Sequence, residues 1–224
     1  MTSRHALVLA DGALDDPANL DTAWPGWADD VDLVVAADGG ARHAAALGLG
    51  IDRWVGDGDS IAAEELARLA ATGVRIDRAR VDKDETDAEL ALRAVLESDP
   101  PRITILGALG GARLDHELGN IWLLAHPGLA GRDAQLLDGR SRIRLVGPGA
   151  IDLGGRIGDV VSLLPFGGDA TGITTRGLRY PLTGEPLRVG PSRGLSNVRV
   201  ASDAGLTLGS GRLLIVETPV RLRP

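Results

Sequence analysis

Short apolar segments alternate with longer amphipathic segments through the first two thirds of the chain. The short segments are apolar on both faces, which is typical of buried parallel strands. The longer segments repeat Ala and Leu at spacings of three and four, which is typical of helices that cover a sheet. This alternation predicts an α/β fold with an open, mainly parallel, Rossmann-like sheet and flanking helices. The predicted strands are His5–Ala10, Asp32–Ala37, Arg75–Ala79, Arg102–Leu106 and Ala134–Leu137, and the predicted helices are Gly40–Leu49, Ile61–Thr72, Thr86–Glu97 and Asp115–Ala125.

The pattern changes after Asp138, where glycine and proline become frequent and the helical spacing disappears. Short alternating segments separated by turn residues predict an antiparallel β-sandwich or a small barrel. We therefore predict an α/β domain over residues 1–139 and a C-terminal antiparallel β-sandwich domain over residues 140–224. The predicted strands of the second domain are Ser141–Val146, Asp159–Leu164, Leu187–Val189, Asn197–Ala201 and Arg212–Glu217.

Composition excludes several classes of protein. The 31 acidic and 24 basic residues give a net charge of −7, which is opposite to the usual charge of a nucleic-acid binder. The chain has no cysteine, which removes thiolate nucleophiles and cysteine metal sites. The N-terminal apolar run Ala6–Ala10 is too short for a signal peptide, and no segment approaches the roughly 18 apolar residues of a membrane helix. We expect a cytoplasmic protein that binds neither nucleic acid nor membrane.

Four acidic or glycine-rich clusters follow predicted strands, at the sheet edge where open α/β folds usually bind ligands. The first is Asp38-Gly39-Gly40. Paired glycines let the backbone approach a ligand, and a helix that begins here would present free N–H groups to an anion. The alternative is a tight strand-to-helix turn in which Asp38 serves only as the N-cap.

The second cluster is Asp57-Gly58-Asp59-Ser60, directly after the apolar pair Trp54-Val55. Two carboxylates on either side of a flexible glycine suit a hard divalent cation that bridges to substrate phosphates. The same pattern also occurs in solvated turns, and Ser60 could cap the following helix. The cluster thus predicts a metal site but does not require one.

The third cluster contains Asp84 and Asp87, which can share one face of the first turn of a helix. Carboxylates also stabilise the positive end of any helix, which is the structural alternative. Lys83 lies beside them and is the only lysine among 24 basic residues. A compact ammonium group here suits a phosphate contact, although its retention by chance is an equal alternative.

The fourth cluster runs from Gly107 to His116 and contains Arg113 and Asp115. Glycines for backbone approach, an arginine for phosphate oxygens and an Asp-His pair together indicate a polyphosphate site. His116 alone is more often structural than catalytic. The chain lacks the G-x-x-x-x-G-K-[ST] and G-x-G-x-x-G motifs at these positions, which disfavours the common nucleoside-triphosphatase and dinucleotide folds.

Taken in order, these clusters resemble the motifs of the thiamine pyrophosphokinase family. Three segments of the second half resemble the thiamine-domain segments of the same family, so that the resemblance spans nearly the whole chain. The matching segments are Ala37–Gly40, Gly56–Ser60, Lys83–Asp87, Gly110–His116 with Asn120, Ser162–Pro165, Thr175–Leu182 and Gly194–Asn197.

The resemblance implies a transfer of pyrophosphate from ATP to the hydroxyl of thiamine, with AMP leaving, by a homodimer that uses Mg²⁺. It implies that ATP and Mg²⁺ bind to the first domain and thiamine to the second. The residues that it implies for Mg²⁺ are Asp57, Asp59, Asp84 and Asp87, and Asp115 joins them as a catalytic residue. The residues implied for ATP are Asp38, Gly39, Gly40, Lys83, Thr86, Arg113, His116 and Asn120, and those for thiamine are Ser196 and Asn197.

The chain departs from the family pattern at two places. Gly58 stands where the family often has an aromatic residue, and Ala112 is inserted before Arg113. Three alternatives to a thiamine pyrophosphokinase stay open. They are a pyrophosphokinase for another alcohol such as a pterin, a metal-dependent hydrolase or sugar-nucleotide transferase with a D-x-D turn, and a nucleotide sensor without catalysis.

Overall fold

A parallel sheet organises the first of two units, Met1–Gly139 and Arg140–Pro224, into which the chain divides. The computed structural model describes residues 4–14 and 16–220. Within the first unit the strands lie in the order β6-β5-β1-β2-β3-β4, and every neighbouring pair is parallel. This arrangement confirms the predicted open sheet. The strands are β1 (His5–Leu9), β2 (Val31–Ala37), β3 (Arg53–Gly56), β4 (Arg75–Arg78), β5 (Arg102–Leu106) and β6 (Asp133–Leu137).

The strand order reverses next to β1. The chain moves outward on one side from β1 through β4 and then crosses to β5 on the other side of β1. All five residues of β1 are buried, as expected for a central strand. In open α/β sheets the carboxyl ends of strands beside such a reversal form a crevice that binds ligands. The loops after β1, β2 and β5 therefore border the predicted site.

Five α-helices connect the strands of the first unit. They are α1 (Pro17–Ala23), α2 (Arg42–Ala46), α3 (Ala63–Ala71), α4 (Asp87–Leu96) and α5 (Leu114–Leu123). The sequence analysis did not predict α1, a short helix that the Asp16 side chain caps and that starts with Pro17. The first predicted helix is shorter than expected, because a 3-10 turn, Asp38–Ala41, precedes α2. No helix in residues 4–14 and 16–220 combines the length and the apolarity that a membrane span needs.

The second unit contains two antiparallel sheets, in the orders β12-β9-β14-β7 and β11-β10-β13-β8. Their strands are β7 (Arg142–Val146), β8 (Gly149–Asp152), β9 (Val160–Pro165), β10 (Ala170–Arg176), β11 (Glu185–Leu187), β12 (Asn197–Val198), β13 (Gly205–Leu208) and β14 (Leu213–Thr218). Leu163 and Ile215 of one sheet join Ile173 and Leu206 of the other in a single buried cluster. This shared core confirms the predicted sandwich.

Three strands of the sandwich, β8, β10 and β13, were not predicted. In β10 only Ala170, Ile173 and Thr175 are buried, and glycine and threonine fill much of the remainder. Such a strand carries little apolar signal, since its stability depends on pairing with neighbours that are distant in the sequence. The predicted strand Leu187–Val189 is shifted, because the observed β11 ends at Leu187.

Candidate active site

A cavity of about 650 Å³ opens at the carboxyl edge of the parallel sheet, entirely within the first unit. Its walls come from the segments that follow β1, β2, β3, β4 and β5 and from the beginnings of α4 and α5. The cavity therefore lies at the strand reversal, where an α/β sheet usually binds its ligand. Its polar lining residues are Asp11, Asp38, Asp59, Ser60, Lys83, Glu85, Thr86, Asp87, Arg113, His116, Glu117 and Asn120.

Asp38 is buried at the end of β2, with 2% of its surface exposed and a left-handed φ of 43°. The neighbouring strand holds it there. The Trp54 indole donates to the Asp38 carbonyl at 3.0 Å, and the Gly58 N–H donates to Asp38 Oδ2 at 3.2 Å. A Cβ on Gly56 would lie 2.9 Å from the Asp38 Cβ, so only glycine allows this approach. The Asp38 side chain thus points to the loop after β3, and Ala37, not Asp38, is the N-cap of the following turn.

The other carboxylate oxygen of Asp38, Oδ1, is buried and has no hydrogen-bond partner among the described residues. Burial raises the pKa of Asp38 to about 6; the Gly58 N–H opposes this rise, and the charges of Asp87, Asp59 and Asp57 add to it. A buried carboxylate oxygen without a partner is costly unless a proton or a cation satisfies it. Asp38 is therefore poised to accept a cation.

Asp57 and Asp59 flank a tight turn after β3. Gly58 has a φ of 86°, a conformation that favours glycine, and this explains why the chain has no aromatic residue there. The Asp59 N–H donates to Asp57 Oδ1 at 3.1 Å, and Ser60 Oγ donates to Asp59 Oδ1 at 2.8 Å. These bonds fix the direction of both carboxylates.

Asp38, Asp57 and Asp59 each offer one carboxylate oxygen, and the three atoms lie within 4.8 Å of one another. Hard divalent cations prefer ligand sets made only of oxygen atoms. The unsatisfied oxygen of Asp38 is an independent sign that the group is made for a cation. The residues present therefore fit Mg²⁺, and Asp38 is a candidate ligand that the sequence analysis had assigned to ATP.

Lys83 lies between two carboxylates. Its Nζ is 2.8 Å from Asp57 Oδ2 and 3.0 Å from Asp87 Oδ1, and only 13% of its side chain is exposed. The hydrogen bond from Lys83 is the main cause that lowers the pKa of Asp57. Burial would lower the pKa of Lys83, but the bonds to Asp57 and Asp87 outweigh burial and raise it. Lys83 lines the cavity, yet its partners in this structure are carboxylates.

Asp84 and Asp87 do not share a helical turn, contrary to the prediction. Thr86 caps α4, where its Oγ1 accepts from the Glu89 N–H at 3.2 Å, and the helix therefore begins at Asp87. Asp84 lies before the helix on an exposed turn, outside the three-carboxylate group formed by the described residues. The structure brings Asp87 to the site through Lys83 and leaves Asp84 apart.

The loop before α5 supplies a cation to the cavity. Arg113 forms an ion pair with Asp115, with Nη2 at 2.5 Å from Oδ2, and both side chains are about two thirds exposed. This pair lowers the pKa of Asp115 and raises that of Arg113. Arg113 and His116 line the cavity. Asn120 lines it too, and its Nδ2 donates to the Ala108 carbonyl at 2.8 Å, which connects α5 to the loop after β5.

Gly39 and Gly40 are buried, and the structure gives a different reason for them from the predicted approach to a ligand. A Cβ on Gly40 would lie 2.1 Å from the Leu9 carbonyl oxygen, and one on Gly39 would lie 2.5 Å from Asp11 Oδ1. Close packing against the backbone at the end of β1 therefore requires glycine at position 40, whereas Gly39 packs against the side chain of Asp11 in the loop after β1.

The sequence analysis missed Asp11 and Gly12, which follow β1 and line the cavity. Arg42 forms an ion pair with Asp11 and donates to the carbonyls of Asp11 and Gly12 at 2.7 and 2.9 Å. His43 Nε2 lies 3.0 Å from the Gly12 carbonyl oxygen. An Asp-Gly pair directly after a buried strand is the same signal that identified Asp38-Gly39, so the sequence could have revealed it.

Ser196 and Asn197 lie in the second unit, at the start of β12. Asn197 Nδ2 donates to the Tyr180 carbonyl at 2.7 Å, while its Oδ1 accepts from the N–H groups of Tyr180 and Val198. Ser196 is exposed with a φ of 58°, and its N–H donates to Ser162 Oγ at 3.0 Å. Asn197 thus holds the Tyr180 segment in place. Nδ2 carries a second hydrogen, and no described residue accepts a bond from it.

Comparisons with known proteins cover both units. A family profile described as "Thiamin pyrophosphokinase, catalytic domain" matches residues 26–135, and one described as "Thiamin pyrophosphokinase, vitamin B1 binding domain" matches residues 150–213. A thiamine pyrophosphokinase of Bacillus subtilis (strain 168) is 30% identical over 203 residues, which are 90% of this chain and 94% of that protein.

Solved structures of similar proteins agree with these matches. The crystal structure of thiamine pyrophosphokinase from Bacillus subtilis superposes with a TM-score of 0.81 and 28% identity, over 96% of this chain and 99% of that one. A thiamin pyrophosphokinase family protein from Enterococcus faecalis gives a TM-score of 0.80 and 28% identity with the same coverage. The similarity therefore extends through both units.

Proposed function

The chain belongs to the thiamine pyrophosphokinase family, and on this premise we propose that it transfers the pyrophosphoryl group of ATP to the hydroxyl of thiamine. In this reaction the thiamine hydroxyl releases its proton and its oxygen bonds to the β-phosphorus of ATP, while the bond from that phosphorus to the α,β-bridging oxygen breaks and AMP leaves. One observation carries the proposal. Three carboxylates and a lysine meet at the carboxyl ends of β2, β3 and β4, beside a cavity of about 650 Å³ that can hold a nucleotide.

We assign the metal site to Asp38, Asp57 and Asp59. Bound Mg²⁺ would supply positive charge next to the transferring phosphates, the chemistry on which phosphoryl transfer depends. Asp57 and Asp59 are fixed by the hydrogen bonds of their turn, and Asp38 by the bond from Gly58. Asp87 was predicted as a magnesium ligand, but here it pairs with Lys83, so we assign it an indirect role at the site. The exposed position of Asp84 before α4 does not support its predicted role as a magnesium ligand.

We assign the polyphosphate chain of ATP to the side of the cavity formed by α5 and the first turn of α4. Arg113, His116 and Asn120 offer donors there, and Thr86 lies at the start of α4. Asp115 acts as a positioning residue, because its ion pair with Arg113 limits the directions in which the guanidinium can point. Phosphoryl transfer needs positioning and charge more than covalent catalysis, and this set of residues offers both.

We assign thiamine to the second unit, through Ser196 and the free amide hydrogen of Asn197. The profile of the vitamin B1 binding domain over residues 150–213, which includes both residues, supports this assignment. The domain roles, the homodimer and the cytoplasmic location stay predictions.

The test is to measure AMP formed from ATP and Mg²⁺, with and without thiamine, and to identify the second product by mass. We expect AMP only with thiamine, together with an equal amount of thiamine diphosphate. AMP formation with a pterin alcohol but not with thiamine would change the proposed substrate and leave the proposed reaction type unchanged. Release of inorganic phosphate without an acceptor would indicate a hydrolase, and ATP binding without AMP for any alcohol would indicate a sensor.

A further inference from the structure

Lys83 is placed unlike any other basic residue of the cavity. It is the only lysine in a chain with 24 basic residues, and its side chain is 13% exposed. Arg113, the other cation that lines the cavity, has a side chain that is 66% exposed. The ammonium of Lys83 is thus a largely enclosed charge, whereas Arg113 carries an exposed charge that pairs with the equally exposed Asp115.

The two partners of Lys83 come from different elements. Asp57 follows β3 and its side chain is 9% exposed, while Asp87 is the first residue of α4. Without a cation between them, two partly buried carboxylates would repel each other. Lys83 therefore joins the turn after β3 to the start of α4.

The two carboxylate oxygens of Asp57 have different partners. Its Oδ2 is bound to Lys83, and its Oδ1 accepts from the Asp59 N–H. The three-carboxylate group of Asp38, Asp57 and Asp59 lies next to this pair, and the buried Oδ1 of Asp38 has no partner among the described residues. Asp57 thus belongs both to the proposed metal group and to the lysine pair.

We propose that the Lys83 ammonium is the permanent second cation of this site, a positioning residue that holds Asp57 for one divalent ion and excludes another from the space between Asp57 and Asp87. This inference rests on the proposed function, because it takes the metal group of Asp38, Asp57 and Asp59 as given. The resulting site binds one divalent ion per chain.

The distances support an ammonium at this position. The oxygens of Asp57 and Asp87 lie 2.8 and 3.0 Å from Nζ, which are ordinary hydrogen-bond distances to an ammonium group. Lys83 Nζ therefore occupies the space between the two carboxylates, and a metal ion could bind there only by displacing it. A lysine also suits the enclosed position better than an arginine, because its charge is compact and its three donors rotate to meet both partners.

The experiment is to titrate the full chain with Mn²⁺ in the absence of nucleotide and to count bound ions by electron paramagnetic resonance of the free metal. Wild type is compared with Lys83→Met, which keeps the length of the side chain and removes its charge. Lys83→Arg is the conservative variant. Arg78→Met is the matched control, since Arg78 donates to the Asp57 carbonyl from an exposed position and its loss changes the net charge equally.

We expect one bound ion in wild type, Lys83→Arg and Arg78→Met, and two in Lys83→Met. Two ions in wild type, or one in a folded Lys83→Met, would overturn the role of Lys83 and leave the metal site standing. No ion in wild type would instead overturn the proposed metal site, and the inference with it. If Lys83→Met does not fold, the number of Mn²⁺ ions bound by Lys83→Gln is measured in the same way, and the same two-ion result is expected.

Discussion

The backbone N–H of Gly58 donates to the Asp38 carboxylate at 3.2 Å, and this bond connects the end of β2 to the turn after β3. The two residues are 20 positions apart in the sequence. Their contact gathers the carboxylates of both loops, because Asp57 and Asp59 flank the same glycine. This bond also lowers the pKa of Asp38 against the larger effect of burial.

Replacing Asp59 with Asn should lower kcat by more than about 100-fold, because mutations that only touch the partners of metal ligands already cost about 10–100-fold. The fold should be intact, since Asp59 is exposed. Steady-state AMP formation and circular dichroism measure the two effects. The matched control is Glu64→Gln, which removes an acidic charge from the exposed first turn of α3. A near-normal rate for Asp59→Asn would remove Asp59 from the metal site.

Replacing Asp38 with Asn should weaken the stabilisation of the protein by Mg²⁺. The raised pKa of about 6 means that above this pH the native state carries a charge that it disfavours. Between pH of about 4 and 6 the unfolded state releases this proton while the native state still holds it, so the free energy of unfolding of the metal-free protein falls as the pH rises through this range. At pH of about 8, Mg²⁺ should raise the Tm of wild type by mass action and that of Asp38→Asn much less.

Thermal unfolding with and without Mg²⁺ tests this expectation. The control is Asp82→Asn, at an exposed position close to the site in the sequence, which should respond to Mg²⁺ as wild type does. Equal Tm increases in wild type and Asp38→Asn would show that the ion does not need Asp38.

Replacing Gly40 with Ala should destabilise the protein by about 1–3 kcal/mol, the usual cost of overpacking. The added Cβ would lie 2.1 Å from the Leu9 carbonyl oxygen and 2.9 Å from the Ala10 carbonyl carbon, and these backbone atoms cannot move aside as a flexible side chain could. Gly50→Ala is the control, because a Cβ there meets nothing within 4 Å. Urea unfolding compares the two. Equal free energies of unfolding would contradict the packing explanation.

Acid should destabilise the first unit through His5. This side chain is buried, with Nε2 at 2.9 Å from Thr104 Oγ1 and Nδ1 at 3.0 Å from the Asp29 carbonyl oxygen. Burial lowers its pKa below the ordinary value of 6.5, and the bond to Asp29 offsets part of this effect. Below pH 6.5 the unfolded state therefore binds the proton more readily, so that the free energy of unfolding falls as the pH falls.

The variant His5→Gln should reduce this dependence on pH, because it keeps polar atoms for the hydrogen bonds and does not titrate. Urea unfolding at pH of about 5, 6 and 7 gives the slope for both proteins. Some slope should persist, since burial also lowers the pKa of His43. An identical slope in wild type and variant would exclude His5 as the cause.

The sequence was sufficient for the fold class and for the clusters that follow β2, β3, β4 and β5, but not for Asp11 and Gly12 after β1. Buried parallel strands such as His5–Leu9 are apolar on both faces, and that pattern is local. The D-x-D turn and Arg113 could be identified in the same way, since they follow those strands directly. Strands such as β10 were not predicted, because pairing with distant neighbours stabilises them and their sequences carry little local apolar pattern.

Tertiary structure decided which groups meet. The sequence placed Asp38, Asp57 and Lys83 after three different strands at one edge of the sheet, and the order β2-β3-β4 makes them neighbours along that edge. The start of α4 at Asp87 brought this residue to Lys83 and left Asp84 outside. A residue type fixes which chemistry is available, but its partner and its charge state depend on distance and burial. The fold alone sets those two quantities, since they arise between residues far apart in the chain.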